Sequence, residues 1–131
     1  MRASRFNRLP TAEQILIQKI EESIQEPLVD SFWGGWQMGI TEESGRLVQI
    51  AVNRRWETHR KMLDLIPEEI GAARELRFVN FGTNRIPKIP EEIGNLRYLE
   101  RCFLGRNRIA HMPDSFTNCR YLRILELQNN I

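Results

Sequence analysis

The sequence has few cysteines and histidines and no long apolar run. It contains 2 Cys and 2 His in 131 residues, too few for a disulfide framework or a zinc-binding pattern. No apolar stretch is long enough to cross a bilayer, and no apolar segment follows the N-terminal arginines as in a secretory signal. We therefore expect a chain without a membrane partner, in the reducing environment of the cytoplasm.

An excess of charge of one sign is also missing. The chain has 19 basic and 17 acidic residues, which gives a net charge of +2. Proteins that bind nucleic acid or an anionic membrane more often carry a strong basic excess, so we predict neither as a partner. With 41% hydrophobic and 27% charged residues, the composition is that of one globular domain with a continuous core.

What the sequence does have is a pattern that recurs every 23 residues. Stretches starting at 76, 99 and 122 each read L-x-x-φ-x-φ-x-x-N, where φ is apolar. IPEEIG precedes the first stretch at 66–71 and recurs between the first two at 89–94, and MPDSFT lies between the last two at 112–117. The alternating apolar residues predict a short strand with one buried face, and the asparagines (Asn84, Asn107 and Asn130) predict an internal ladder of side-chain amides. The prolines suit the start of a short helical turn.

This pattern resembles the leucine-rich-repeat family, whose consensus is LxxLxLxxNxLxxLPxxIGxL, and most of all its intracellular Ras-group type. The resemblance covers residues 47–131. It implies an α/β fold: a right-handed solenoid with a parallel concave sheet and short helical or 3-10 convex turns. The repeats would start at 47, 76, 99 and 122, the last being incomplete. The first is six residues longer than the others and has Arg55 at the asparagine position, which predicts an elongated loop containing Trp56 and His59.

Residues 1–46 are predicted to form an N-terminal cap, because the first repeat of a solenoid has an open apolar end. A helix at about 11–26, with a capping box of Thr11 and Gln14, would precede a hairpin strand at about 36–41. A turn at Ser44 and Gly45 would lead into the first repeat. The tryptophans Trp33 and Trp36 would supply the cap's large apolar side chains, with a sugar-stacking platform as the less favoured alternative.

Residues between the inward positions of the strands should face the concave side, where a partner would bind. Phe78 and Phe103 fall in neighbouring strands, flanked by Arg101 and Arg106, and interface anchors are enriched in aromatics and arginine. The alternative is that the two phenylalanines are exposed by chance or pack under a neighbour. The predicted partner-binding residues are Phe78, Asn80, Arg101, Phe103, Arg106, Ile124 and Glu126.

No pattern of catalytic, metal-binding or cofactor-binding residues is found. His59 and His111 are far apart in the repeat lattice, and Cys102 and Cys119 fall on inward positions. The glutamate pairs at 68–69 and 91–92 recur after proline, as first-turn residues favoured by the helix dipole do. We therefore expect no metal, no cofactor and no enzyme activity.

The sequence thus favours a non-catalytic protein–protein interaction module, such as a signalling scaffold, that binds a protein of unknown identity on its concave face. The alternative is the recognition region of a larger signalling enzyme: a kinase, a Roco-type GTPase or a ubiquitin ligase. Because the chain stops at Ile131, one residue after Asn130 and in the middle of a repeat, we expect it to be truncated there. The uncapped end is also a possible site of self-association.

Overall fold

The structure, a computed structural model, describes residues 6–28, 38–55 and 60–131. Within these residues, five strands form one sheet in the order of the sequence. The first two strands form an antiparallel hairpin, and the others follow in parallel register. The strands are β1 Met38–Glu43, β2 Arg46–Val52, β3 Phe78–Asn80, β4 Arg101–Phe103 and β5 Ile124–Glu126. The 3-10 helices of the repeats are Glu68–Ala72, Glu91–Asn95 and Asp114–Asn118.

This arrangement is the predicted right-handed α/β solenoid. Each parallel strand contributes two inward side chains, as the alternating pattern predicts; in β3 and the residue after it these are Val79 and Phe81, both 1% exposed or less. Each 3-10 helix contributes one large apolar side chain from the opposite side: Ile70, Ile93 or Phe116. One continuous core therefore runs through the layers, since a single repeat is too thin to bury both its faces.

The asparagine ladder is present. The Asn107 side-chain oxygen accepts a hydrogen bond from the Ile86 N–H at 3.0 Å, one layer back. Its amide nitrogen donates to the Phe81 oxygen of that previous layer and to the Leu104 oxygen of its own. Asn84 and Asn130 make equivalent bonds in their layers. The side chains thus satisfy backbone groups that the turn after each strand would otherwise leave buried and unpaired.

Glycines allow the 3-10 helices to lie close together. A Cβ added at Gly71 would lie 2.7 Å from the Glu92 Cβ, and one at Gly94 would lie 2.5 Å from the Ser115 Cβ. Atoms do not approach so closely without displacement, so both positions require the absence of a side chain. In the repeated IPEEIG segment, the second isoleucine therefore lies in the core and the glycine allows close contact between layers.

The helix α1 (Thr11–Ile24) ends two residues before the predicted end at about 26. Its C-cap, Gln25, has a left-handed conformation with φ of 59°. The predicted capping box is wrong. Pro10, which is extended, occupies the N-cap without a side-chain hydrogen bond, so Thr11 is already inside the helix. Gln14 instead donates from Nε2 to the Leu9 oxygen at 2.7 Å, outside the helix.

A buried carboxylate connects α1 to the first repeat strand. Glu13 is fully buried and accepts hydrogen bonds from Arg46 Nε and from the Leu47 N–H, each at 2.7 Å. Arg46 begins β2, directly after a hairpin turn in which Ser44 and Gly45 have φ of 52° and 75°. The turn is where the sequence predicted it. Within the described residues the strand before it runs from Met38 to Glu43, past the predicted end at 41, and the predicted positions 36 and 37 lie outside the described residues.

The first repeat departs from the predicted placement of its arginines. The sequence placed Arg55 at the ladder position, but Arg54 is the fully buried residue and Arg55 is exposed. Arg54 Nε donates to the Lys61 oxygen at 3.1 Å, and its Nη2 donates to Glu26 Oε2 at 2.6 Å. A long guanidinium side chain spans the wider first repeat, where a short amide would not reach.

Several residues singled out in the sequence lie outside the described residues: Trp33, Trp36, Trp56 and His59. None of the helices in the described part of the chain has the length and apolarity needed to cross a membrane.

Candidate functional site

The strand register aligns side chains in columns on the sheet face opposite the 3-10 helices. One column is Gln49, Phe78, Arg101 and Ile124, and the other is Ala51, Asn80, Phe103 and Glu126. These are the two columns that the repeat pattern predicts. Parallel strands in register keep each column in line, so residues far apart in sequence become neighbours.

Phe78 is buried, whereas the sequence predicted an exposed anchor. Only 5% of its surface is exposed. The Phe103 ring meets it edge to face, with ring centres 5.6 Å apart. The guanidinium carbon of Arg101 lies 4.9 Å from the centre of the Phe78 ring. Phe103 stays partly exposed and Arg101 exposed, so these two side chains cover Phe78 and present the outer surface themselves.

Asn80 is also buried, with 5% of its surface exposed. Its side-chain oxygen accepts hydrogen bonds from Asn53 Nδ2 and from the Gly82 N–H, each at 3.1 Å. The side chain therefore shapes the end of its strand and offers little surface to a partner.

A groove of about 310 Å³ runs across the strand ends on this face. We call it the concave groove. It brings together Asn80, Phe103, Arg106 and Glu126 from the predicted set, while Phe78, Arg101 and Ile124 are not part of its lining. Its full lining is Asn53, Arg55, Asn80, Gly82, Thr83, Phe103, Gly105, Arg106, Glu126 and Gln128.

The predicted set left out Asn53, Thr83 and Gln128. The sequence does indicate these residues, because they lie two or three positions after the strand residues Ala51, Asn80 and Glu126 in the repeat pattern. The predicted set took only Arg106 from these positions of the repeat, whereas the groove extends along the whole turn.

Glycine and left-handed residues keep the groove open. A Cβ at Gly105 would lie 2.7 Å from Gln128 Nε2, and one at Gly82 would lie 2.9 Å from Asn53 Nδ2. Thr83 and Arg106 have φ of 56° and 57°, so the chain turns sharply at both positions. The amides of neighbouring layers can therefore extend across the turn.

The charges at this face are not neutralised internally. Arg101 and Arg106 are exposed and form no ion pair with any described residue. From the described residues, the Glu126 carboxylate accepts only a long hydrogen bond, 3.4 Å, from Gln128 Nε2. An aromatic ring flanked by both signs of charge is suited to contacts with a mixed polar and apolar surface.

Reactive groups are hidden or isolated. Cys102 and Cys119 are free and buried, and burial raises the pKa of both thiols, so neither is poised as a thiolate. His111 is exposed. Over residues 6–28, 38–55 and 60–131, no three His, Cys, Asp or Glu side chains come close enough to hold a metal ion.

Comparison of the sequence with known proteins finds no matching family model and no curated protein with a significant match. Solved structures do match. A leucine-rich-repeat protein of Leptospira interrogans is 27% identical, with a TM-score of 0.52, over 53% of this chain and 18% of that one. This chain thus spans less than a fifth of that protein's length.

Two plant structures match over most of this chain. The leucine-rich-repeat ectodomain of the receptor kinase SOBIR1 from Arabidopsis thaliana is 24% identical, over 93% of this chain and 68% of that one, with a TM-score of 0.69. The BIR3–SERK2 complex from Arabidopsis thaliana is 21% identical, over 88% and 68%, with a TM-score of 0.59. Together with the 23-residue period, the parallel sheet and the asparagine ladder, these likenesses show that the chain has the leucine-rich-repeat fold.

Proposed function

We propose that this chain is a non-catalytic protein–protein interaction module that binds a protein partner in the concave groove. The observation that carries the proposal is the partly exposed Phe103 ring beside Arg106 and Glu126, which have no ion-pair partner among the described residues. Aromatic and arginine side chains dominate the binding energy of protein interfaces. The likeness to the Arabidopsis BIR3–SERK2 complex supports a binding role for a solenoid of this kind.

The groove also suggests how the predicted residues divide their roles. Phe103 is the anchor, with Arg101 and Arg106 on either side and Glu126 as the acidic contact. Ile124, with 43% of its surface exposed, extends the apolar area. Phe78 and Asn80 act from beneath, by supporting Phe103 and the groove wall.

Site-specific photo-crosslinking in the source cells tests this proposal. A photoreactive phenylalanine analogue at Phe103 should give one dominant crosslinked protein, and the same analogue at exposed Lys88 should not. With that partner purified, Phe103→Ala should weaken binding by about tenfold or more, as for an interface anchor. Lys88→Ala should leave the affinity within about twofold. Crosslinking from Lys88 alone, or unchanged affinity of Phe103→Ala, would overturn the proposal.

We further propose that the repeats are of the intracellular Ras-group type and that the chain works in the cytoplasm. The 23-residue period, the IPEEIG segments and the two free buried thiols support this. The alternative, a recognition region within a larger signalling enzyme, uses the same groove and differs only in what is joined to it. Mass measurement of the native protein, isolated through its Phe103 crosslink, separates the two.

We propose that residues 1–46 serve as the cap of the repeats in 47–131. The bonds of Glu13 to Arg46 and Leu47 support this, because they attach α1 to the first repeat strand. Deletion of residues 1–28 should expose apolar surface and raise binding of a hydrophobic dye. An unchanged, fully folded product would contradict a capping role.

A second candidate function is self-association at the β5 layer. Leu122, Leu125 and Leu127 are only half-buried, whereas Leu99 and Leu104 of the previous layer are fully buried. Incomplete burial of one core layer favours contact with another apolar surface. Sedimentation over a range of concentrations should show a dimer that Leu125→Gln abolishes. A monomer at about millimolar concentration would exclude this function.

A further inference from the structure

A second exposed surface lies at the turns that precede β3, β4 and β5. Each turn is closed by a backbone hydrogen bond between two inward-facing residues: Leu76 N–H to the Ala73 oxygen at 3.1 Å, Leu99 to Leu96 at 3.1 Å, and Leu122 to Cys119 at 3.2 Å. The flanking residues point into the core, so the two central residues of each turn are left outside it. We call these central residues the turn edge: Arg74, Glu75, Arg97, Tyr98, Arg120 and Tyr121.

The tyrosines of the turn edge stack on each other in the open. The Tyr98 and Tyr121 rings lie 6.1 Å apart at an angle of 19°, with 46% and 60% of their surfaces exposed. A groove of about 160 Å³ lies beside them, lined by Arg97, Tyr98, Asn118, Arg120 and Tyr121. Stacked rings with a large exposed area are rigid, amphipathic contact surfaces, like those at the centres of protein interfaces.

The arginines of the turn edge form a column of uncompensated charge. Arg74, Arg97 and Arg120 are exposed, and none forms an ion pair with a described residue. Residues 74–131 contain 10 basic and 6 acidic side chains, an excess of +4, whereas residues 1–73 contain 9 and 11, an excess of −2. The positive charge of the chain is thus concentrated in the half that carries the turn edge.

We propose that the turn edge binds an extended acidic segment of a partner protein, running along the solenoid from one turn to the next. The Tyr98 and Tyr121 ring centres lie 6.1 Å apart, which is close to the ~6.7 Å between alternate residues of an extended strand. Alternate carboxylates of such a segment pair with successive arginines, and bidentate arginine–carboxylate contacts are strong. The backbone between them covers the tyrosine rings.

The acidic side chains near this edge favour a protein over a nucleic acid. Glu75 occupies the turn position of the tyrosines one layer earlier, and Glu100 lies two residues after Tyr98. A continuous phosphate backbone would meet these carboxylates, whereas a peptide with spaced carboxylates avoids them. The turn edge uses none of the residues that line the concave groove, so it is a separate surface.

Fluorescence anisotropy with designed peptides tests the proposal. The probe is a labelled peptide in which glutamate alternates with threonine, and its control has the same composition with contiguous glutamates. We expect the alternating peptide to bind more tightly. Arg97→Gln with Arg120→Gln should weaken its binding by about tenfold, since each of the two lost contacts is solvent-exposed and worth roughly a factor of three. Tyr98→Ser with Tyr121→Ser should weaken it by about fivefold.

The matched control is Arg85→Gln with Arg108→Gln. It removes two exposed arginines that lie outside both grooves, and binding should stay within about twofold. Equal weakening by this control would show general charge attraction and overturn the proposal. No binding at about millimolar peptide, or no preference for alternating glutamates, would also overturn it. The proposal would also be overturned if an oligothymidylate probe bound more tightly than the alternating peptide and the Arg97/Arg120 variant lost that binding. The occupant would then be a nucleic acid. Thermal melts verify that each variant is folded.

Discussion

The N-terminal part of the molecule uses charged side chains where the repeats use asparagine amides. Each ion pair among the described residues joins partners at or before Glu69, including Glu13–Arg46 and Glu26–Arg54. From residue 76 onward, Asn84, Asn107 and Asn130 make the recurring polar contacts between layers.

The difference follows from what each layer meets. A repeat stacks on a near copy of itself, so one short amide at a fixed position satisfies the same backbone groups in every layer. The first repeat meets a helix of different shape, and longer side chains with particular partners bridge the gap. A junction of this kind tolerates less variation in sequence, because each of its contacts occurs once.

The largest effect is expected when one ladder amide is removed. Asn107→Ala leaves the buried Ile86 N–H without its acceptor and removes one of the two asparagine donors to the Phe81 and Leu104 oxygens. We expect a loss of about 3 kcal/mol in the free energy of unfolding, measured by chemical denaturation. The control, exposed Asn118→Ala, should cost under about 0.5 kcal/mol. Equal costs would show that the ladder is not the main polar support of the repeats.

The junction should be the next most sensitive place. Glu13→Ala leaves the Leu47 N–H buried without its acceptor and Arg46 without its counter-ion. We expect a cost of about 2 kcal/mol, less than for a fully buried ion pair because Arg46 is about a third exposed. Glu22→Ala, at an exposed position of the same helix, is the control and should cost under about 0.5 kcal/mol. Hydrogen exchange should show α1 and β1 opening before β4 in the Glu13 variant; loss of protection first in β4 would contradict the comparison.

The third largest loss of stability is expected where two 3-10 helices are in contact. Gly94→Ala would place a Cβ 2.5 Å from the Ser115 Cβ and 2.7 Å from the Ser115 oxygen, so the two helices must separate. A cost of about 1–2 kcal/mol is expected from the thermal transition. Thr117, at the same position of the next repeat, is exposed, and Thr117→Ala should be nearly neutral. A neutral Gly94→Ala would mean that the layers have room to separate.

A smaller effect, a gain in the free energy of unfolding, is expected for a substitution in the concave groove. Thr83 is β-branched and has φ of 56°, whereas Asn129 occupies the equivalent left-handed position with φ of 61°. Asparagine tolerates this conformation better than threonine, so Thr83→Asn should stabilise the protein by about 0.5 kcal/mol. The reciprocal Asn129→Thr should destabilise it by a similar amount in the same denaturation assay. The same sign for both substitutions would exclude backbone strain as the cause.

The smallest effect is electrostatic and lies at the surface between α1 and the first 3-10 helix. The hydrogen bond from Lys19 lowers the pKa of Glu69, and the Glu69 acceptor raises the pKa of Lys19. The pair therefore stabilises the fold between the usual pKa values, 4.5 and 10.5. This contribution is lost as pH falls through the lowered Glu69 pKa or rises through the raised Lys19 pKa. Lys19→Met should flatten the acid side of the stability profile, whereas Lys88→Met should not; identical profiles would show that the pair contributes nothing.

Sequence reasoning succeeded for the strands and failed where a side chain's neighbours decide its burial. The columns of the sheet and the amide ladder follow from a 23-residue period, because stacking equal repeats fixes which residues align. Phe78 was assigned to the exposed face by that logic. The pattern contains no information on whether Arg101 and Phe103 would cover it. The buried position was assigned to Arg55 instead of Arg54 for a similar reason. The first repeat is irregular, so no equivalent layer gives its register.

The amino-acid sequence by itself determined the leucine-rich-repeat fold, the 23-residue layers, the asparagine ladder and the inward position of both cysteines. These features are periodic, and a period read from the chain becomes a spacing in the solenoid. The tertiary structure alone decided which concave residues stay open and how Arg54 and Glu13 connect the N-terminal helix to the repeats. It also decided that Tyr98 and Tyr121 stack beside arginines that form no ion pair with a described residue. These features depend on the distances between side chains of different layers, which depend on how closely the layers pack.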